Sequence, residues 1–330
     1  MQIRVNGMKL AQIYKNLRKD LREIERELEE SVQADHQDLS RSAAHLLEAG
    51  GKRMRPVFVL LAGQFGRYDV ERLKRVAAPL ELIHMATLVH DDVIDDAATR
   101  RGRATVKAKW DNRVAMYTGD FILARSLDIV TQIQSPEAHR VLSNAIYQMC
   151  KGEIEQIRDF YDPDQSVLRY LHRIKRKTAL LMSVSCELGA LVSDADPSVV
   201  RKLRLYGYYV GMAFQITDDL LDLTGDQTNL GKPAGSDLRQ GNVTLPVIEV
   251  LKRGPEEDRE RIIRYLHSRG QDGSLSDIIE RVRRSRGIPC AQELADRYLN
   301  KALTVLEDLP QGEAKESLRS IAHFVAHRSY

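Results

Sequence analysis

His90-Asp91-Asp92-Val93-Ile94-Asp95-Asp96 closes a long apolar run made of Leu80, Leu82, Ile83, Met85, Leu88 and Val89. Continued as a helix, the run sets Asp91 and Asp95 one turn apart on a shared face. Aspartate is a poor helix former, and like charges at this spacing cost roughly a few tenths of a kcal/mol. A divalent cation offsets that cost, because hard ions such as Mg²⁺ prefer carboxylate oxygens and complete their shells with water or phosphate. The pattern returns at Asp218-Asp219-Leu220-Leu221-Asp222, again among apolar residues (Val210, Met212, Phe214, Ile216). A solvated acidic turn accounts for one such motif. It accounts poorly for two, each embedded in apolar helical sequence. Two acidic helical faces suit a small metal cluster, and the ligand that calls for such a cluster is a diphosphate.

Outward from these motifs, cations gather in short stretches. Gly50-Gly51-Lys52-Arg53-Met54-Arg55-Pro56 follows a helix expected to be capped by Asp38 or Ser40 and to run to Leu47. The glycines end that helix, and Pro56 suits the first turn of the next, the nearly all-apolar Val57 to Phe65. Three cations beside a helix start make an anion site; the alternative is a charged surface turn. Thr99-Arg100-Arg101-Gly102-Arg103 adds more cations just past the first acidic motif, either pairing with it or gripping phosphate with planar guanidinium forks. Lys177-Thr178 lies inside a helix expected over Leu168 to Val192. The residues before it, Arg173 to Arg176, are expected to snorkel on a solvated face.

Elsewhere the chain reads as helices: Met8 to about Val32, one from near Asp69, another after Pro79, then 114–133, 137–161, and one starting at Asp196-Pro197-Ser198. Gly225 to Gly241, carrying Gly231-Lys232-Pro233 and Ser236-Asp237, is the longest irregular stretch and a candidate lid. No β-hairpin signal or low-complexity tract is present. The expectation is one all-α domain over residues 8–330, a large helical bundle with the acidic motifs on facing helices around a central cavity, preceded by a disordered extension at 1–7.

Composition narrows the function. The 330 residues are 43% hydrophobic and 29% charged, with a net charge of +3 and 6% aromatics, which gives no support to a nucleic-acid partner. Three scattered cysteines (Cys150, Cys186, Cys290) lack metal-ligand spacing and fit a reducing, cytoplasmic setting. The longest apolar stretch, Thr178 to Val192, contains Glu187 and is too short to span a bilayer, so membrane contact is expected to be peripheral.

Taken in order, Gly50–Pro56, Glu81-Leu82-Ile83-His84, His90–Asp95, Arg100-Arg101-Gly102, Lys177-Thr178, Phe214–Asp222 and Gly231-Lys232 resemble the trans-isoprenyl diphosphate synthases. The resemblance runs from about Leu39 to Pro246. Val106–Trp110 and Gly152–Ile157 narrow it toward the larger, catalytic subunits of two-component heptaprenyl diphosphate synthases. It implies an isoprenoid-synthase bundle and 1′-4 condensation of isopentenyl diphosphate with an allylic diphosphate such as farnesyl diphosphate, supplying a menaquinone side chain. It implies three Mg²⁺ ions, two held by Asp91 and Asp95 and a third by Asp218 with help from Asp222. Lys52, Arg55, His84 and Arg101 would bind isopentenyl diphosphate; Arg100, Lys177, Thr178, Gln215 and Lys232 would bind the allylic partner. It further implies a smaller, non-homologous partner subunit (component I), with a homodimer as the other assembly to consider. Asn242 departs from the pattern, since many shorter-chain relatives have lysine there. Arg328 only partly matches the basic ending of some relatives.

Other readings compete. Product length could differ (hexaprenyl, geranylgeranyl). A terpene cyclase shares the first acidic motif, but its second usually carries Asn and Ser/Thr ligands. A non-catalytic subunit would have lost aspartates or the basic loop, and here both are intact. Ala86 lies five residues before Asp91, about 7–8 Å along a helix, where a small side chain leaves room for a growing product.

Overall fold

The computed structural model describes residues 10–225 and 234–326. Residues 1–9, among them the expected extension and Met8, lie outside it, as do Lys232 and Arg328. The described chain is helical except for one two-residue hairpin and the connecting turns. This follows from the sequence: apolar residues recur at helical spacing almost throughout, and the turn residues fall between those runs.

Two compact units divide the chain. Residues 10–146, 181–207 and 308–318 form the first. Its axis is the helix Val70–Ile94, which packs along Asn112–Val130 and against Met54–Gly63. The expected break at Pro79 does not occur; one helix runs through it. Proline removes one intrahelical hydrogen bond, but Val76, Ala77, Ala78 and Leu80 around it are fully buried, and their packing holds the helix together. Asp69 caps the start by accepting the Glu71 amide. Met54–Gly63 is buried from Pro56 onward, as its composition required.

Several local expectations change. The first helix is interrupted at Leu17, between helical residues 10–16 and Arg18–Ser31. His36, not Asp38 or Ser40, stands at the N-cap of Gln37–Glu48, with no side-chain cap bond. Thr99–Arg100 pairs antiparallel with Arg103–Ala104, so a short hairpin exists after all. Its turn, Arg101-Gly102, has φ of 52° and 75°, the two positive values a type I′ turn requires.

Residues 147–180, 208–225, 234–307 and 319–326 form the second unit. Leu245–Arg253 packs on Gly287–Glu307, and Met212, Ile216 and Leu220 from the helix Pro197–Thr224 join Tyr170, Ile174 and Ala179 in one buried cluster. The helix expected from Leu168 to Val192 is not continuous. Val167–Ile174 passes into a π-helical turn, Lys175–Ala179, before Leu180–Val192. Such π turns are frequent at functional sites.

Within the first unit, Gly189 lies so close to the Val59 carbonyl that a Cβ would overlap it. Gly189→Ala is therefore expected to destabilise the protein by about 1–3 kcal/mol. Chemical denaturation with an unchanged midpoint would refute this close packing.

Candidate active site

In the first unit the helix Val70–Ile94 delivers the acidic motif at its end, with Asp95 as the C-cap donating its amide to the Asp91 carbonyl at 2.8 Å. Asp91 and Asp95 are partly exposed and one turn apart, whereas Asp92 is buried. Asp92 Oδ1 accepts from Arg100 Nε at 2.8 Å, with Arg100 Nη2 also 2.8 Å away in the ion pair, and Lys107 pairs with Asp96. The basic loop therefore does pair with the acidic motif, but through Asp92 and Asp96. His90 is a satisfied helix histidine: its Nε2 lies 3.3 Å from both the Met116 carbonyl and Asp120, over Gly119, whose missing side chain makes room for the ring.

About two to three turns earlier on the same helix, a cationic pocket forms. Arg53, Arg100 and Arg101 line it with Glu81, His84 and Gly50. Glu81 is the single carboxylate in the apolar stretch Leu80–Met85, and it is 3% exposed. Its Oε1 takes Arg53 Nη1 at 3.3 Å, while Oε2 stands 4.0 Å from Arg55 Nη1. Glu81 Oε2 and Arg55 Nε are buried without a hydrogen-bond partner, which costs free energy; an anion would satisfy the Arg55 N–H, whereas the Glu81 oxygen calls for a donor. Burial lowers the Arg55 pKa, and the Arg101 charge lowers it further against the pull of Glu81. Burial also drives the His84 pKa well below the usual histidine value, reinforced by Arg55, Arg101, Arg100 and Arg53. His84 is thus neutral at pH 7 and keeps an N–H to donate to an oxyanion.

Arg53 sits in the left-handed region, φ 46° and ψ 39°. That conformation costs a non-glycine residue about 1–2 kcal/mol. Charge-assisted bonds to Glu25 (2.7 Å) and Glu81 offset it.

In the second unit, Asp218 and Asp222 share a helix face one turn apart and are partly exposed. Asp222 also orders the chain beyond the helix: Ser236 Oγ donates to its Oδ1 at 2.7 Å and the Asp237 amide to its Oδ2 at 3.2 Å. Asp219 between them is buried and turned into a different network. Tyr170 Oη donates to its Oδ2 at 2.7 Å and Gln215 Nε2 to its Oδ1 at 2.8 Å; Thr178 Oγ1 in turn donates to Gln215 Oε1 at 2.5 Å. Burial pushes the Asp219 carboxyl up to about 6, against the pull of the Gln215 and Tyr170 hydrogen bonds. The π-helical turn places Lys177 3.7 Å from Glu153.

The solvated face expected for Arg173 is a correction. Arg173 is buried, donating to Gln165 Oε1 at 3.0 Å and the Val243 carbonyl at 2.7 Å beside the Tyr170 ring, because those acceptors satisfy its fork inside the unit. Arg176 is tied to Glu155. The sequence placed Arg53 only among three cations of an anion site, and gave Glu81, Tyr170 and Asp219 no individual role. Only Glu81, a lone charge in an apolar run, left a readable sign.

Among the described residues, no three His, Cys, Asp or Glu groups stand together as a ready-made metal cage. Paired carboxylates at helical spacing fit an ion that takes one or two protein oxygens and draws the rest from phosphate.

The polyprenyl synthetase family profile matches residues 36–282. The chain belongs to that family. It is a prenyltransferase of the trans-polyprenyl class. Over 326 residues it is 52% identical to heptaprenyl diphosphate synthase component 2 of Bacillus subtilis (strain 168), covering 99% of this chain and 93% of that one. A solved heptaprenyl diphosphate synthase from Staphylococcus aureus superposes with a TM-score of 0.90 at 40% identity, over 94% of this chain and 98% of the other. A polyprenyl synthase from Caulobacter crescentus CB15, solved in complex with calcium and isoprenyl diphosphate, gives a TM-score of 0.91 at 31% identity, over 97% and 98%. The all-α isoprenoid-synthase fold expected from the sequence is the fold found.

Neutral His84 has a thermodynamic consequence. The unfolded chain takes up a proton near pH 6.5 that the folded site refuses, so stability is full above that pH and declines as pH falls from it toward the depressed folded value. The slope in that window is at most about 1.4 kcal/mol per pH unit. His84→Gln should lose less stability than wild type between about pH 7 and about pH 5.5. Equal losses in urea titrations at the two pH values would show that His84 protonates normally.

Proposed function

We propose that this chain builds an all-trans heptaprenyl diphosphate by successive 1′-4 condensations of isopentenyl diphosphate onto an allylic starter such as farnesyl diphosphate, for a menaquinone side chain. The observation that carries this reading is the cluster of Arg53, Arg100 and Arg101 lining one pocket with His84. It suits a diphosphate held by cations alone, while the paired aspartates suit one held through metal.

In this reading Lys52, Arg55, His84 and Arg101 bind isopentenyl diphosphate. Arg100, Lys177, Thr178, Gln215 and Lys232 serve the allylic diphosphate. Asp91 and Asp95 hold two Mg²⁺ ions, and Asp218 with Asp222 a third. When bound, Mg²⁺ neutralises charge building on the leaving diphosphate. The allylic C–O bond breaks, the double bond of isopentenyl diphosphate attacks the allylic carbon, and a proton leaves to the departing diphosphate. Leu82, Ile83, Met85, Ala86 and Val89, all buried on the helix that carries Asp91, offer the allylic cation a dry, apolar surrounding.

The family match runs through both compact units, which supports a single synthase domain. The "component 2" in the relative's name supports a smaller partner subunit. So does an exposed stripe on Pro136–Asp159, with Tyr147, Cys150, Ile154 and Ile157 at helical spacing. A second copy of the chain is the other candidate for that stripe. No helix among the described residues is long and apolar enough to cross a membrane. We place the enzyme in the cytoplasm, touching the membrane peripherally to discharge its product.

Labelled isopentenyl diphosphate with farnesyl diphosphate and Mg²⁺, with and without a candidate small subunit, tests this. Chromatography should show heptaprenyl product only when the partner is present, and shorter product from Ala86→Phe. Full-rate heptaprenyl synthesis by the chain alone would remove the partner, and an unchanged product from Ala86→Phe would remove the length assignment.

A further inference from the structure

Residues 10–31 precede the family-matched region, yet they grip the cationic loop. Tyr14 Oη donates to the Lys52 carbonyl and lies 3.2 Å from Met54 Sδ. Between those two contacts stands Arg53 in its left-handed conformation. Its guanidinium is held from outside by Glu25, Nε to Oε1 at 2.7 Å and Nη2 to Oε2 at 3.4 Å. From inside it meets Glu81 at 3.3 Å and the Leu47 carbonyl at 3.4 Å. Arg53 is therefore committed to protein acceptors and acts as an anchor. The loop it anchors also seats a neighbour: the Arg101 guanidinium lies over Gly51, where a Cβ would come within 2.8 Å of Nη1.

A strained residue persists only where its surroundings over-determine it. We propose that Glu25 and Tyr14 are positioning residues that lock Arg53 and thereby set Lys52, Arg55 and Arg101 in register for isopentenyl diphosphate. The proposal rests on the reading of those three cations as ligands of that diphosphate. Without Glu25, Arg53 relaxes toward a commoner backbone conformation and the cations on either side lose their alignment. The effect falls mainly on one substrate, because Lys177, Thr178 and Gln215 belong to other segments of the chain and Arg100 is held separately by Asp92.

Steady-state kinetics on the full chain, assembled with its small subunit where required, provide the test. Glu25→Ala and Tyr14→Phe should raise KM for isopentenyl diphosphate about three- to tenfold, with kcat and the allylic KM within about twofold of wild type. Arg53→Ala, which loses the anchor and keeps the strain, should raise that KM further than Arg53→Gly, for which the left-handed conformation costs nothing. A lowered melting temperature with unchanged KM in Glu25→Ala and Tyr14→Phe would reduce the strap to a structural brace and overturn the proposal. So would an equal or reversed order of the two Arg53 variants. Lys52→Ala separates the two levels. If it raises the isopentenyl KM while Glu25→Ala does not, the loop assignment stands and the positioning role falls. If Lys52→Ala leaves that KM unchanged, both fall.

Discussion

Arg53, Arg55, Arg100 and Arg101 surround His84 with the buried carboxylates of Glu81 and Asp92 set against them. Like charge at such density repels, and burial removes the water that would screen it. The local structure answers that repulsion. Glu81 and Asp92 sit on the helix Val70–Ile94, whose neighbours along most of its length are apolar. Glu25 reaches in from the N-terminal helices, and Arg100 is turned onto Asp92. What compensation remains incomplete is a free donor at Arg55 Nε, which an anion would take, and an acceptor at Glu81 Oε2, which calls for a donor.

The aspartate pairs obey the same electrostatics with opposite sign. In each motif the outer aspartates stay partly exposed and share a face, while one inner aspartate is buried and bound by the protein. Asp92 is bound by Arg100, and Asp219 by Tyr170 and Gln215. The division of labour is clear in physical terms. A buried carboxylate satisfied by protein donors fixes the helix end, and the outer pair stays at the surface on one face of the helix. In the second unit the buried member also orients Gln215, which in turn receives the Thr178 hydroxyl.

How much of this the sequence revealed depends on how far each feature reaches. Asp91 with Asp95, and Asp218 with Asp222, were legible because their relation is local, one helical turn. The all-α fold was legible because apolar spacing is also local. The unbroken helix through Pro79 was not, since it depends on packing around Val76 and Leu80 that outweighs a lost hydrogen bond. Arg173 looked solvated because nothing nearby in the chain announces Gln165 and the Val243 carbonyl as its acceptors. Arg53 passed for one of three equivalent cations until Glu25, distant in sequence, took hold of it. The hairpin at Arg101-Gly102 escaped because two-residue strands show no alternation.

In the proposed function two diphosphates are held differently, one by cations and the other through carboxylate-bound metal. Calorimetry of both ligands with and without a chelator tests that division most directly, using isopentenyl diphosphate and the unreactive farnesyl thiodiphosphate. Isopentenyl diphosphate should still bind when Mg²⁺ is removed, whereas the allylic analogue should lose its affinity. Loss of isopentenyl diphosphate binding on chelation, or equal retention of both ligands, would contradict it.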